Sequence, residues 1–202
     1  MVIPGFDREV AAAAVGDLVV FLDGDVVDPD AADVSRLLCP LLTAPGVQLV
    51  KGYHRDPAGG GRVTELLVRP LVASLSPELA SIIAPIGGDL AGTRDLLRSI
   101  PFAPGHGVEI GILLDTVTEL GIDGVGQADL GVRELRSRPL VELGPVARQI
   151  VATLLERLGI EDSLAPLTQF LSEDDGHRCV ETFPVPARAE EYACRESRSV
   201  RT

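Results

Sequence analysis

Two acids flank one glycine, Asp23-Gly24-Asp25, directly after the apolar run Leu18 to Leu22 (LVVFL). In open α/β sheets, ligands bind outside the carboxyl ends of strands. Acids spaced this way at such an end can share a divalent cation that bridges a diphosphate. Gly24 lets the backbone approach closely. A solvated acidic turn would read the same way, so the pattern leaves both open. A second group is Gly59-Gly60-Gly61-Arg62-Val63-Thr64-Glu65. Glycines before a helix start present free backbone N–H groups, Arg62 adds a planar cation suited to phosphate or carboxylate, and Thr64 can cap the helix or offer its hydroxyl. The alternative is a plain surface loop. The spacing is not that of a P-loop, which needs Gly, four residues, then Gly-Lys-Ser/Thr.

A third group is Pro104-Gly105-His106-Gly107-Val108-Glu109, with Asp115 further along the same helix. His106 and Glu109 can contact a polar substrate. Equally, a lone histidine is commonly a surface residue, and glutamate at a helix start is favoured by the dipole alone. Arg133, Arg136 and Arg138 form a basic cluster that can hold an anion or serve as a salt-bridged face.

The elements that must position these groups follow from hydrophobic period. Leu18 to Leu22 reads as a strand buried on both faces of a parallel sheet. Asp30 to Leu42 reads as a helix disturbed at Pro40, and Val47 to Tyr53 as the next strand, making a strand, helix, strand unit. Helices are expected at Thr64 to Leu75, Arg94 to Ser99, Glu109 to Leu120 (amphipathic) and Leu143 to Leu158, with a further turn from Pro77. Gly87 to Ala91 and Gly124 to Leu130 are the remaining strand candidates, and from Glu173 the polar, Pro-containing chain reads as an extended arm or tail.

A chain of 202 residues fits one solid domain. Its net charge of −12, from 18 basic and 30 acidic residues, argues against a nucleic-acid partner, which would attract Lys and Arg. Aromatics are only 3%, with no Trp, so the core must be aliphatic and base-stacking platforms are few. Cys39, Cys179 and Cys194 are odd in number and unpaired in spacing, which suggests a reduced, cytoplasmic setting. No apolar run reaches the roughly 20 residues of a membrane helix, so no membrane partner is expected.

The phrases GDLVVFLDGDVVDP (Gly16 to Pro29), VKGYHRDP (Val50 to Pro57), GGGRVTELLVRPL (Gly59 to Leu71), GGDLAGTRDLL (Gly87 to Leu97), PFAPGHGVEIGILLDT (Pro101 to Thr116) and DLGVRELRSRPLVELGPVARQIVATLL (Asp129 to Leu155), continued by LTQFL (Leu167 to Leu171), run in one order. Together they resemble the glucosyl-3-phosphoglycerate synthases, retaining glycosyltransferases of the GT-A fold. The resemblance implies an α/β fold with a GT-A-like mixed sheet flanked by helices, lacking the first part of the nucleotide-binding half. It implies a partial GT-A domain over 1–172 and a C-terminal extended arm or tail over 173–202. The activity implied is transfer of glucose from UDP-glucose to 3-phosphoglycerate with retention, metal and positive groups stabilising the departing UDP.

By the same resemblance, Asp23 and Asp25 are the ligands of Mg²⁺ or Mn²⁺. Asp23, Gly24, Asp25, Gly87, His106 and Glu109 bind the donor, and Glu109, matching the glutamate that contacts the donor glucose, is the catalytic candidate. Gly61, Arg62, Val63 and Thr64 bind the acceptor. The family is commonly homodimeric. Two residues depart from its pattern: Leu135 stands where the family has a third metal ligand, a histidine, and His106 stands where it usually has tyrosine. A further departure is that only Met1 to Val15 precede the first strand, where the family carries base- and ribose-binding elements. The alternative reading is a catalytically impaired or truncated homologue acting as an acceptor-binding or dimerisation module.

Overall fold

A computed structural model describes residues 14–24, 30–56, 61–133, 138–173 and 176–184. Strands β1 (Leu18–Phe21), β2 (Leu49–Arg55), β3 (Leu90–Thr93) and β4 (Val125–Val132) form one sheet in the order β1-β3-β2-β4. β2 and β4 pair in parallel, while β3 runs antiparallel to both β1 and β2. This is the expected mixed sheet. The reading of β1 as a doubly buried strand of a parallel sheet is corrected: it pairs antiparallel to β3, and of its four residues only Val19 is buried. A Val-rich run shows strand propensity without revealing the direction or number of its neighbours. The strand, helix, strand unit holds through α1 (Ala32–Thr43), but β3 is inserted between its two parallel strands.

Side chains alternate across the sheet and so feed two cores. Leu49 of β2 joins Val19 and Leu90 on one face, whereas Val50 joins Ala91, Ala128 and Leu130 on the other, where Leu37 of α1 covers them. The first face is covered by α2 (Arg69–Leu75), α3 (Arg94–Ser99), α4 (Val108–Leu120) and α5 (Leu140–Arg157). Each fully enclosed Leu or Ile there contributes about 1.5–3 kcal/mol.

α4 starts one residue before the expected helix and is not amphipathic in situ. Val108, Ile110, Ile112, Leu113, Leu114 and Thr116 are all buried, because α5 covers the face that the sheet leaves open. Arg157 of α5 pairs with Asp115 of α4 at 2.8 Å, so Asp115 is committed to helix packing. α4 stops at Gly121, whose φ of 74° is a left-handed value that glycine adopts cheaply. α3 is capped by Thr93, whose hydroxyl accepts from the Leu96 N–H at 3.3 Å.

β5 (Leu167–Glu173) and β6 (Gly176–Thr182) form a separate antiparallel hairpin. Of the segment read as an arm or tail, Gly176–Thr182 is extended and paired to the strand before it, and residues 174–175 and 185–202 lie outside the described residues. Arg148 of α5 grips Asp162 with two hydrogen bonds of 2.8 Å and fixes the chain leading into the hairpin. Among the described residues, no helix is long and apolar enough to cross a membrane.

Candidate active site

The carboxyl ends of β1 and β2 and the amino end of β3 lie at one edge of the sheet. Asp89, just before β3, ties them together. Its backbone carbonyl accepts from the Gly52 N–H at 2.8 Å, and its carboxylate accepts from the Asp23 N–H at 3.1 Å and from His54 Nε2 at 2.9 Å. An ionised carboxylate offers only lone pairs, so Nε2 carries the His54 proton. Both side chains of this pair are under one-tenth exposed, and His54 Nδ1 is buried with no hydrogen-bond partner among the described residues.

Beside this pair, Lys51 of β2 is 1% exposed, and its ammonium donates to the Gly87 carbonyl at 2.8 Å. Glu109, in the first turn of α4, lies near enough to feel the Lys51 charge and the Gly87 backbone. Burial pulls the Lys51 ammonium below its ordinary pKa, and the charges of Glu109 and Asp89 resist that fall. Burial likewise pushes the Glu109 carboxyl above its ordinary value; Lys51 and the Gly87 N–H pull it back, while Asp23 and Asp89 push it further up.

His54, Gly87 and Asp89 border a cleft of about 240 Å³, lined also by Asp23 on the sheet side, by Gly61, Thr64 and Arg69 on the helix side, and by Gly88. Its helix side opens at Gly61, with φ of 77°, and continues as one turn of π-helix, Thr64–Val68, that runs into α2. Such widened turns place side chains off the regular helical face and recur at functional sites. Arg69 is held by Glu65 at 2.7 Å and by the Ile83 carbonyl at 2.6 Å, closing one wall. The volume suits an acceptor-sized molecule and falls below the ~300–1,000 Å³ that encloses whole ligands.

Of the expected site residues, Asp23, Gly61, Thr64 and Gly87 line this cleft. Glu109 does not line it; it stands in the first turn of α4, within reach of the charges of Asp23 and Asp89. Gly24 lies in the exposed turn after Asp23. Arg62 and Val63 begin the helical segment, and the Arg62 guanidinium donates to the Arg138 carbonyl at 2.7 Å. His106 is exposed at the start of α4, its backbone N–H held by Gln149 of α5, and does not line the cleft. Arg133 forms an ion pair with Asp33, both little exposed, so the salt-bridged reading holds for it. Asp25, Gly59, Gly60, Glu134, Leu135, Arg136 and Cys194 lie outside the described residues.

Sequence reasoning missed Lys51, His54 and Asp89. The signal was present in VQLVKGY: a lysine two residues after Leu49 on the same face of an apolar strand must be buried, and a buried ammonium requires negative partners. Among the described residues, no cluster of three or more His, Cys, Asp or Glu could hold a metal ion. Asp23 is nevertheless an exposed carboxylate bordering the cleft, and carboxylate oxygens are the donors Mg²⁺ and Mn²⁺ prefer, so it fits as one ligand of an incomplete set.

No protein-family model matches the chain. It is similar to the glucosyl-3-phosphoglycerate synthase of Mycolicibacterium smegmatis, at 56% identity over 173 residues, 81% of this chain and 57% of the relative. It is similar also to the synthase of Mycobacterium tuberculosis H37Rv, at 50% identity over 188 residues, 86% of this chain and 58% of the relative. The chain thus spans somewhat over half the length of these curated relatives. Among solved structures, the Mycobacterium tuberculosis synthase with Mn²⁺, UDP-glucose and phosphoglyceric acid matches at a TM-score of 0.79 and 51% identity, covering 89% of this chain and 60% of that one. The same enzyme with Mg²⁺ and UDP matches at a TM-score of 0.82 and 51% identity, covering 90% of this chain and 62% of that one.

Proposed function

Because the chain belongs to the glucosyl-3-phosphoglycerate synthase family, we propose that it moves glucose from UDP-glucose to 3-phosphoglycerate with retention, giving glucosyl-3-phosphoglycerate. The observation that carries this reading is one cleft that gathers Asp23, Gly61, Thr64 and Gly87 from three distant segments.

In this reading, Gly61, Arg62, Val63 and Thr64 hold the phosphate and carboxylate of the acceptor, through backbone N–H groups, the guanidinium and the Thr64 hydroxyl. Asp23 and Asp25 would hold Mg²⁺ or Mn²⁺, which when bound supplies positive charge against the diphosphate of the leaving UDP. Glu109 accepts hydrogen bonds from the donor glucose and orients it beside Gly87, with Gly24 and His106 as further donor contacts. The cleft is too small for the whole nucleotide sugar, so it is read as the acceptor and transfer end of the site.

The chain is further read as a GT-A domain over 1–172 with a C-terminal arm over 173–202, acting in the cytoplasm as a homodimer. Support for the dimer comes from an open hollow of about 530 Å³ beside the hairpin, lined mainly by Leu140, Val141, Phe170 and Leu171, with Phe170 71% exposed.

The test is transfer of labelled glucose from UDP-glucose to 3-phosphoglycerate by the full chain, with Mn²⁺ and with chelator. Metal-dependent product is expected; no product from folded, monodisperse protein would overturn the enzyme reading. Leu135 favours a second reading, an acceptor-binding module with impaired donor chemistry, since leucine cannot ligate a cation. A gain in metal-dependent UDP-glucose binding by Leu135→His supports a decayed enzyme and counts against the module, whereas an unchanged affinity supports the module.

A further inference from the structure

Arg69 stands where the π-helical turn ends. Its backbone N–H donates to the Thr64 carbonyl, five residues back, and so closes the turn on the residue that begins it. On a regular α-helix, residues five apart point about 140° away from each other. The wider turn brings them back toward one face, and Thr64 and Arg69 both line the cleft. The charge on that lining is otherwise negative. Asp23, Asp56, Glu65 and Asp89 all border the cleft, and among the described residues Arg69 is the one Lys or Arg that does. A guanidinium carries five N–H donors in a planar fork. Here Nε donates to Glu65 at 2.7 Å and Nη2 to the Ile83 carbonyl at 2.6 Å, which leaves three donors, both of those on Nη1 among them. The two bonds already made hold the plane in place. Ile83 is itself pinned to β4, because its N–H donates to the Gln127 side chain at 2.7 Å and the same amide donates to the Ser81 carbonyl at 3.1 Å. The cation is thus fixed at the wall of the cleft before any ligand arrives.

We propose that Arg69 is a further acceptor-binding residue, whose remaining donors pair with one oxyanion of the acceptor, its carboxylate or its phosphate. The proposal rests on the reading of Gly61 to Thr64 as the acceptor loop. An anionic molecule entering a cleft bordered by four acids needs a cation on its wall, and a guanidinium matches either oxyanion in shape and charge. Glu65 holds the same guanidinium and touches no ligand. Its carboxylate competes with the oxyanion for positive charge, so the two residues have opposite effects on acceptor affinity.

The experiment is titration calorimetry of 3-phosphoglycerate and of glycerol 3-phosphate against the full chain, Arg69→Met, Arg69→Lys and Glu65→Gln, with UDP and Mn²⁺ as the control for an intact fold. Arg69→Met should weaken 3-phosphoglycerate binding by about tenfold or more, with UDP affinity unchanged. A matching loss for glycerol 3-phosphate, which has no carboxylate, assigns the phosphate to Arg69; a loss confined to 3-phosphoglycerate assigns the carboxylate. Glu65→Gln breaks the same internal ion pair but keeps the cation, and it should bind 3-phosphoglycerate as tightly as the wild type or more tightly. If Arg69 only braces the wall, both substitutions weaken binding, and losses of equal size in Arg69→Met and Glu65→Gln overturn the proposal. Unchanged affinity in Arg69→Met overturns it too, while leaving the acceptor loop in place. A wild type that binds no 3-phosphoglycerate overturns the acceptor reading and this proposal with it. If Arg69→Met does not fold, Arg69→Lys decides, since lysine keeps the charge without the fork: a severalfold loss supports the pairing, and wild-type affinity overturns it.

Discussion

A Cβ built on Gly88 lies 2.9 Å from the Cβ of Asp23 and 3.0 Å from its carboxyl carbon. The glycine segment and the end of β1 thus touch with no room for a methyl group, and the direction of the Asp23 carboxylate depends on residue 88. Gly88→Ala should cost about 1–3 kcal/mol by overpacking and weaken metal-dependent UDP binding. Gly87→Ala, whose Cβ would meet only ordinary contacts at 3.8 and 3.9 Å, should leave stability within about 1 kcal/mol of wild type. Urea denaturation of the two variants checks the contrast, and equal losses would refute it.

Asp89 holds three groups at once, so its removal has a compound effect. Asp89→Ala leaves His54 Nε2 and the Asp23 N–H without their acceptor. Orphaned buried groups cost about 1–3 kcal/mol each, and a loss of about 2–4 kcal/mol is expected in chemical denaturation. Asp89→Asn keeps an acceptor oxygen and should lose less; a variant as stable as wild type would show that the His54 pair is incidental.

Arg62 is exposed, and its guanidinium donates to the Arg138 carbonyl at 2.7 Å. Arg62→Ala should weaken 3-phosphoglycerate binding by about tenfold or more and leave UDP binding unchanged, as read by calorimetry. Unchanged acceptor affinity would remove this loop from the site.

Hydrogen bonding from Arg148 holds the Asp162 carboxyl below its ordinary pKa. A depressed folded-state value means that the stabilisation is fully present above the unfolded carboxylate range, about pH 4, and is lost as pH falls through the lower folded value. Asp162→Asn should therefore lose about 1 kcal/mol at neutral pH and nothing in strong acid. Denaturation curves at both pH values test this, and a loss of equal size at both would show that the clamp acts through packing.

The layout of elements was largely legible. α3 lies where its pattern placed it, Arg94 to Ser99, and α4 begins within one residue of the expected start, because cap residues and glycine stops act locally. The partners of β1 were hidden, since LVVFL reads the same beside a parallel or an antiparallel neighbour. The cleft was legible where glycines and acids announced it, at Asp23, Gly61 and Gly87. It was illegible at Lys51, His54 and Asp89, whose meaning lies in contacts across 35 and 36 positions of sequence. Lys51 donates 36 residues ahead, and only the inserted β3 brings that partner near.

Inserting β3 between β1 and β2 also governs when the site exists. The Gly52 N–H and the Asp23 N–H both end on Asp89, 37 and 66 residues away. No local hairpin can close either bond ahead of the sheet, so their formation waits on loop closures that come with the global transition. Amide exchange at Gly52 and Asp23 should then proceed only through cooperative unfolding, at the slowest rates in the chain. A half-folded form of this protein would have helices and no cleft.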